Sequence, residues 1–152
     1  MAGKADFTTD EWTTMQRAMV GAPLFVAVSD GNQYDLVKEL ALVREHLQEA
    51  REGHGSQLVQ ELADLGGAQT GFYARMNRAQ VEGPALDALR AARVTLQAKA
   101  PDELDSFKYF VVELCKATAA AARSHLFGYA GPKISENEAV AVDKVRAALG
   151  LI

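Results

Sequence analysis

Apolar residues recur at alternating spacings of three and four along most of this chain, which is the period of a helix with one buried face. The longest series is a stripe made up of Leu104, Phe107, Val111, Leu114, Thr118 and Ala121. A second series, within residues 33–51, consists of Leu36, Leu40, Val43 and Leu47. Shorter segments elsewhere in the chain show the same alternation of three and four residues between apolar positions. The pattern predicts an all-α fold, a single-domain bundle of about six to eight helices over residues 1–152.

Capping residues mark the start of the first helix. Thr8 and Glu11 have the Thr-x-x-Glu spacing of a capping box, in which side chain and backbone satisfy each other's hydrogen-bonding groups. Phe7 and Trp12 occupy the two positions of a hydrophobic staple around this box. A helix is therefore expected to begin directly after Thr8.

The segment before the last helix carries the strongest boundary signal. Gly128 and Gly131 accept left-handed backbone angles at a helix end, and Pro132 prevents the helix from continuing. Ser135 and Glu138 then form a second capping box. These residues predict that a long helix ends near Gly128 and that a new one begins after Ser135.

Two apolar runs rich in β-branched residues leave a strand alternative open. Residues 24–28 and 109–112 have the composition of strands, but two paired strands alone make a marginal sheet. Pro23 suits a first helical position, so we expect an interruption at Gly21 and Pro23 followed by a helix. The second run lies within the longest helical stripe, which favours helix there as well.

Composition and charge narrow the class of protein. The chain has 152 residues, of which 49% are hydrophobic and 24% charged, as in an ordinary globular domain. A net charge of −4 disfavours nucleic acid and anionic membrane surfaces as partners. No apolar run reaches the roughly 18 residues of a membrane helix, and the single cysteine, Cys115, precludes an internal disulfide. We expect a cytoplasmic protein.

Residues capable of chemistry are few and scattered. No Glu precedes a His by three positions, as di-iron bundles require, and one Cys with three His lacks the paired spacing of zinc sites. Cys115 is expected to be a core residue, and His125 on the same helix is about 15 Å away. A metal enzyme built from Glu39, Glu45 and Glu113 is the weakest hypothesis. We expect no catalytic residue, bound metal or cofactor.

The first functional hypothesis is a non-enzymatic protein that binds a partner or itself. Phe127, Gly128 and Tyr129 form a candidate interaction loop, because aromatic residues on loops often make functional contacts. Tyr109 and further apolar residues flank the 104–121 stripe, and uncovered apolar surface of this kind marks interfaces. The sequence therefore favours a homodimer through this helix or the adjacent loop.

The alternative hypothesis is an internal pocket for a small apolar ligand. Ligand sites in helical bundles often lie between helices and are lined by aromatic and apolar side chains. The candidate lining residues are Phe25, Phe72, Tyr73, Met76, Phe107 and Phe110. Packing of the same residues into the core is the competing interpretation.

Two motifs give the chain a family resemblance. One is Phe7-Thr8-x-x-Glu11-Trp12 followed by Ala22-Pro23, and the other is Phe127-Gly128-x-x-Gly131-x-x-Ile134-Ser135-x-x-Glu138. With these motifs the chain resembles a poorly characterised group of small bacterial all-helical proteins. It departs from the group at Pro132, where a second Gly is expected, and at His125-Leu126, which replaces a Gly-Phe type pair. The resemblance implies a bacterial, helical, cytoplasmic protein and supplies no catalytic residue.

Overall fold

The computed structural model describes residues 3–29, 36–53, 56–64, 68–127 and 135–151. Within these ranges the α-helices are α1 (Thr9–Val28), α2 (Leu36–Gly53), α3 (Gln57–Ala63), α4 (Ala68–Ala74), α5 (Glu82–Lys99), α6 (Pro101–Phe127) and α7 (Glu136–Ala148). Short 3-10 helices occupy Lys4–Asp6 and Arg78–Gln80. The described residues contain no strand, so the all-α prediction is confirmed and the strand alternative for 24–28 and 109–112 is excluded.

Helix α1 is the central element of the bundle. Every residue from 18 to 28 is buried, so this half of α1 has no polar face. A helix that is apolar around its circumference must be covered on all sides. Helices α5 and α6 pack most extensively against it, and α2, α3, α4 and α7 complete the enclosure.

The predicted interruption at Gly21 and Pro23 is wrong, because α1 continues through both residues. An internal proline loses one backbone hydrogen bond and strains the preceding turn, at a cost of roughly 3 kcal/mol. Burying one large apolar side chain contributes roughly 1.5–3 kcal/mol, and Leu24 and Phe25 beside the proline are both buried. Tertiary packing of this segment therefore outweighs its poor local helix propensity.

The predicted capping box at the start of α1 is confirmed. The Thr8 amide donates to Glu11 Oε1 at 2.8 Å, and the Glu11 amide donates to Thr8 Oγ1 at 3.1 Å. The Phe7 and Trp12 rings form the predicted staple, with centroids 5.9 Å apart. Lys99 Nζ also donates to Glu11 Oε1, at 2.6 Å, and this bond lowers the pKa of the Glu11 carboxyl below its usual value. The start of α1 is thereby joined to the end of α5.

The predicted start of α7 is confirmed as well. The Ser135 amide donates to Glu138 Oε1 at 2.9 Å, and the Glu138 amide donates to Ser135 Oγ at 3.1 Å. At the other end Gly150 has a φ of 75°, and the Leu151 amide donates to the Arg146 carbonyl at 2.9 Å. This is the Schellman arrangement that commonly ends a helix at glycine. Both ends of α7 are therefore satisfied by local bonds.

Helix α4 is attached to α1 at a point of unusually close approach. Tyr73 is fully buried, which raises the pKa of its hydroxyl, and this hydroxyl donates to the Arg17 carbonyl of α1 at 2.9 Å. A Cβ atom at Gly21 would overlap the Tyr73 hydroxyl. The Arg17 guanidinium lies 4.0 Å from the ring centroid of the neighbouring Phe72. Glycine at position 21 is therefore required by this contact.

The predicted stripe on α6 lies in the core. Its described members are all buried, and Ala121 has no described side chain. Thr118 is the one polar residue of the stripe, and its buried Oγ1 atom has no hydrogen-bond partner among the described residues. An unsatisfied buried hydroxyl is unfavourable by roughly 1–3 kcal/mol.

The Gly21–Tyr73 contact predicts that replacing Gly21 by alanine destabilises the protein, which is opposite to the usual result for a glycine in a helix. Replacing a helical glycine by alanine normally stabilises by about 0.5–1 kcal/mol, but Gly21→Ala is expected to lower the free energy of unfolding by about 1–3 kcal/mol through overpacking. Gly71→Ala in α4 is the control, since among the described residues no atom outside its own helix turn lies within 4 Å of the added methyl group. Urea unfolding of both variants measures the difference, and equal midpoints for Gly21→Ala and wild type would contradict the close approach.

The unpaired hydroxyl predicts that Thr118→Val stabilises the protein. Valine keeps the β-branched shape and a similar helix propensity while removing the buried polar atom, so the free energy of unfolding is expected to rise by about 1 kcal/mol or more. Thr95→Val at a partly exposed position of α5 is the control and should leave stability nearly unchanged. A destabilised Thr118→Val protein would mean that the hydroxyl has a partner in solution.

Candidate functional site

The reactive side chains that the structure describes do not converge on one place. Cys115 is fully buried, and burial raises the pKa of its thiol, which keeps it protonated and unreactive. His46 Nδ1 lies 3.8 Å from Glu49 Oε2 on α2, and Glu45 and Glu113 are exposed on separate helices. Among the described residues, no group of three or more His, Cys, Asp or Glu side chains is placed to hold a metal ion.

The residues predicted to line an internal pocket are distributed through the core. Tyr73 and Phe107 have no exposed surface, and Phe25 is almost fully buried. The remaining three, Phe72, Met76 and Phe110, are partly buried and pack against the same core. Phe72 and Tyr73 also form an edge-to-face pair with centroids 5.0 Å apart. Their positions fit the competing core interpretation, except that Phe25 reaches an open cleft.

This cleft has a volume of about 280 Å³ and lies where the end of α1 meets the start of α5 and the first half of α7. We call it the end cleft. Its lining residues are Phe25, Val28, Ser29, Ala79, Glu82, Asn137, Val140, Ala141 and Lys144. Five of these nine are apolar, but polar atoms supply the larger part of the exposed lining, so apolar and polar groups meet in the cleft.

The last turn of α1 forms the apolar side of the end cleft. Phe25 and Val28 point from this turn into the cleft lining. The helix stops at Ser29, whose amide donates to the Phe25 carbonyl at 3.1 Å and whose hydroxyl donates to the Val26 carbonyl at 2.6 Å. The Ser29 hydroxyl is therefore occupied in closing the helix.

Helix α7 contributes one face to the end cleft. Asn137, Val140, Ala141 and Lys144 are spaced by three, one and three, so they share a single helical face. Val140 is 56% exposed although it is apolar, whereas the adjacent Ala141 is buried. The exposed Val140 side chain at the edge of the cleft is therefore an apolar surface that a ligand can cover.

An ion pair crosses the end cleft. Lys144 Nζ on α7 lies 3.3 Å from Glu82 Oε2 on α5, and the two side chains are 49% and 48% exposed. Pairs this exposed contribute only about 0–1 kcal/mol, because water screens both charges. Each group can therefore exchange its partner for a ligand at little cost.

The candidate interaction loop falls at the edge of the described residues. Phe127 is the last residue of α6, whereas Gly128 and Tyr129 lie outside the described residues, as do Gly131 and Pro132. The predicted contacts of this loop stay a prediction.

The apolar surface beside the α6 stripe is mostly covered by neighbouring helices. Val112 and Ala119 are buried, and Phe110 and Ala120 are partly buried. Tyr109 remains 64% exposed. The described part of α6 thus exposes much less apolar surface than the sequence suggests, and the homodimer through α6 stays a prediction.

Comparisons with protein-family models, with curated proteins and with solved structures give no match to this chain. The resemblance to small bacterial helical proteins therefore stays a prediction. In the part of the chain that the structure describes, no helix is both long enough and apolar enough to cross a membrane.

Proposed function

We propose that this protein is a non-enzymatic helical binding protein and that the end cleft is its binding site. The observation that carries the proposal is a cleft in which the exposed Val140 and the edges of buried apolar side chains lie beside an exchangeable ion pair. Phe25, Val28 and Val140 supply the apolar surface, and Glu82 and Lys144 supply the charges. Concave sites with an apolar lining and a few polar groups are typical binding sites.

The chemistry of the lining supports binding rather than catalysis. The lining contains no His or Cys, and Ser29 has its hydroxyl proton directed to the Val26 carbonyl. A serine nucleophile needs a base within hydrogen-bonding distance. Glu82, the one carboxylate of the lining, is paired with Lys144.

The volume of the end cleft supports a small occupant. At about 280 Å³ it is close to the lower limit of small-molecule sites. A helix or strand of a partner is too large, whereas a small molecule fits. The alternative hypothesis of a small apolar ligand therefore shares one residue with this proposal, because Phe25 belongs both to the predicted pocket and to the cleft.

The acidic net charge of −4 supports a partner other than nucleic acid. The resemblance to small bacterial helical proteins supports a cytoplasmic location. Self-association through α6 is a separate proposal, supported by the exposed Tyr109.

The binding proposal predicts that small neutral aromatic compounds, such as indole and benzyl alcohol, shift the methyl resonances of Val28, Val140 and Ala141. Val140→Trp is expected to fill part of the cleft and to weaken this binding about tenfold or more, roughly 1.4 kcal/mol. Val94→Trp is the matched control, because Val94 is a 66% exposed valine on α5 that does not line the cleft. Titrations followed by methyl NMR measure both variants.

Shifts confined to methyl groups outside the cleft, or equal weakening by Val94→Trp, would contradict the placement of the site. An absence of shifts with every compound would contradict the binding function of the cleft.

The dimer proposal predicts that light scattering coupled to gel filtration gives twice the monomer mass of 16.4 kDa at micromolar concentration. Tyr109→Lys is expected to restore the monomer, because a buried unpaired charge at an interface is strongly unfavourable. Val94→Lys is the control at an equally exposed position of α5. A monomeric wild-type protein refutes the dimer. If the Tyr109→Lys variant is still a dimer, the interface does not include Tyr109.

A further inference from the structure

The end cleft has two chemically different zones. Phe25 and Val28 of α1, with Val140 of α7, form an apolar zone. Glu82 and Lys144 place one negative and one positive charge at its edge, with Oε2 and Nζ 3.3 Å apart. A ligand that matches both zones needs an apolar part and two opposite charges close together.

We propose that the end cleft binds a small zwitterion with an apolar side chain, the chemical class of the free apolar α-amino acids. This inference rests on the proposed binding function and names its ligand. The ligand ammonium pairs with Glu82, and the ligand carboxylate pairs with Lys144. Its side chain covers Phe25, Val28 and Val140.

Charge complementarity selects a zwitterion over other small ligands. An anion that pairs with Lys144 leaves the Glu82 carboxylate unpaired and repelling it, and a cation has the converse difficulty with Lys144. A neutral apolar molecule gains nothing from either charge. A zwitterion replaces one screened surface pair by two charge-assisted hydrogen bonds, which are stronger than neutral ones.

The end of α1 adds to this preference. The last carbonyl groups of a helix carry partial negative charge, which attracts cations. The final turn of α1 lines the cleft through Phe25, Val28 and Ser29, and Glu82 lines the same cleft from α5. The ligand ammonium is therefore favoured on the side of the cleft that Glu82 and α1 share.

The size of the cleft limits the side chain. A cavity of about 150 Å³ accommodates benzene, so about 280 Å³ accommodates one aromatic ring or one branched aliphatic chain with its amino-acid head group. Leucine and phenylalanine are suitable probes.

The test compares L-phenylalanine and L-leucine with analogues that lack one charge. N-acetyl-L-phenylalanine has no ammonium group, and L-phenylalaninamide has no carboxylate. Calorimetry with methyl NMR of Val28, Val140 and Ala141 is expected to show that the zwitterions bind in the cleft at least fivefold more tightly than either analogue.

Substitutions at the Glu82–Lys144 pair test whether binding depends on these charges or only on the shape of the cleft. Lys144→Gln and Glu82→Gln are each expected to weaken L-phenylalanine binding about tenfold and to weaken indole binding by a clearly smaller factor. Lys116→Gln is the matched control, because it breaks a similar exposed pair with Glu113, 3.8 Å apart on α6. Melting curves monitored by circular dichroism establish that each variant is folded.

The outcomes distinguish the two proposals. If indole and L-phenylalanine bind the cleft equally well, or if Lys144→Gln has no more effect than Lys116→Gln, the zwitterion proposal is overturned and the binding function stands. If no compound shifts the cleft methyl groups, both proposals fail. Tight binding of L-phenylalanine that is lost in Lys144→Gln and retained in Lys116→Gln supports both.

Discussion

The enclosure of α1 is the constraint on which the rest of the structure depends. Residues 18–28 offer no polar face, so neighbouring helices must cover them on every side, and α5 and α6 pack most extensively against α1. This burial keeps Pro23 within a continuous helix and brings Tyr73 against Gly21. At the final turn of this segment, Phe25 and Val28 are buried and also line the end cleft. The candidate site is therefore lined in part by the same packing that stabilises the fold.

Local signals in the sequence predict most of the fold correctly. The capping boxes at Thr8 and Ser135 depend on residues three positions apart, and the α6 stripe depends on helical period, so each can be inferred from adjacent sequence. The prediction fails at Gly21 and Pro23, where local propensity and tertiary packing conflict. Glycine is needed at position 21 because Tyr73 packs against it. Tyr73 is distant in sequence, so no pattern of residues near Gly21 predicts this contact.

The candidate site is less predictable for the same reason. Its residues come from α1, the segment around the start of α5, and α7, and only Phe25 was among the predicted pocket residues. The i, i+3, i+4, i+7 spacing of Asn137, Val140, Ala141 and Lys144 is a signal that sequence reasoning missed. No sequence rule pairs Lys144 with Glu82, because their contact exists only after α5 and α7 pack together.

The local satisfaction of both ends of α7 has a kinetic consequence for the end cleft. Val145 and Leu149 are buried, and the bonds that close both ends of α7 do not involve Lys144, so the position of α7 does not depend on the Lys144–Glu82 pair. Replacing the pair by a ligand would then require only a rotation of two exposed side chains, which occurs in picoseconds to nanoseconds. For the ligand that we propose, we therefore expect diffusion rather than a rearrangement of α7 to set the rate of binding.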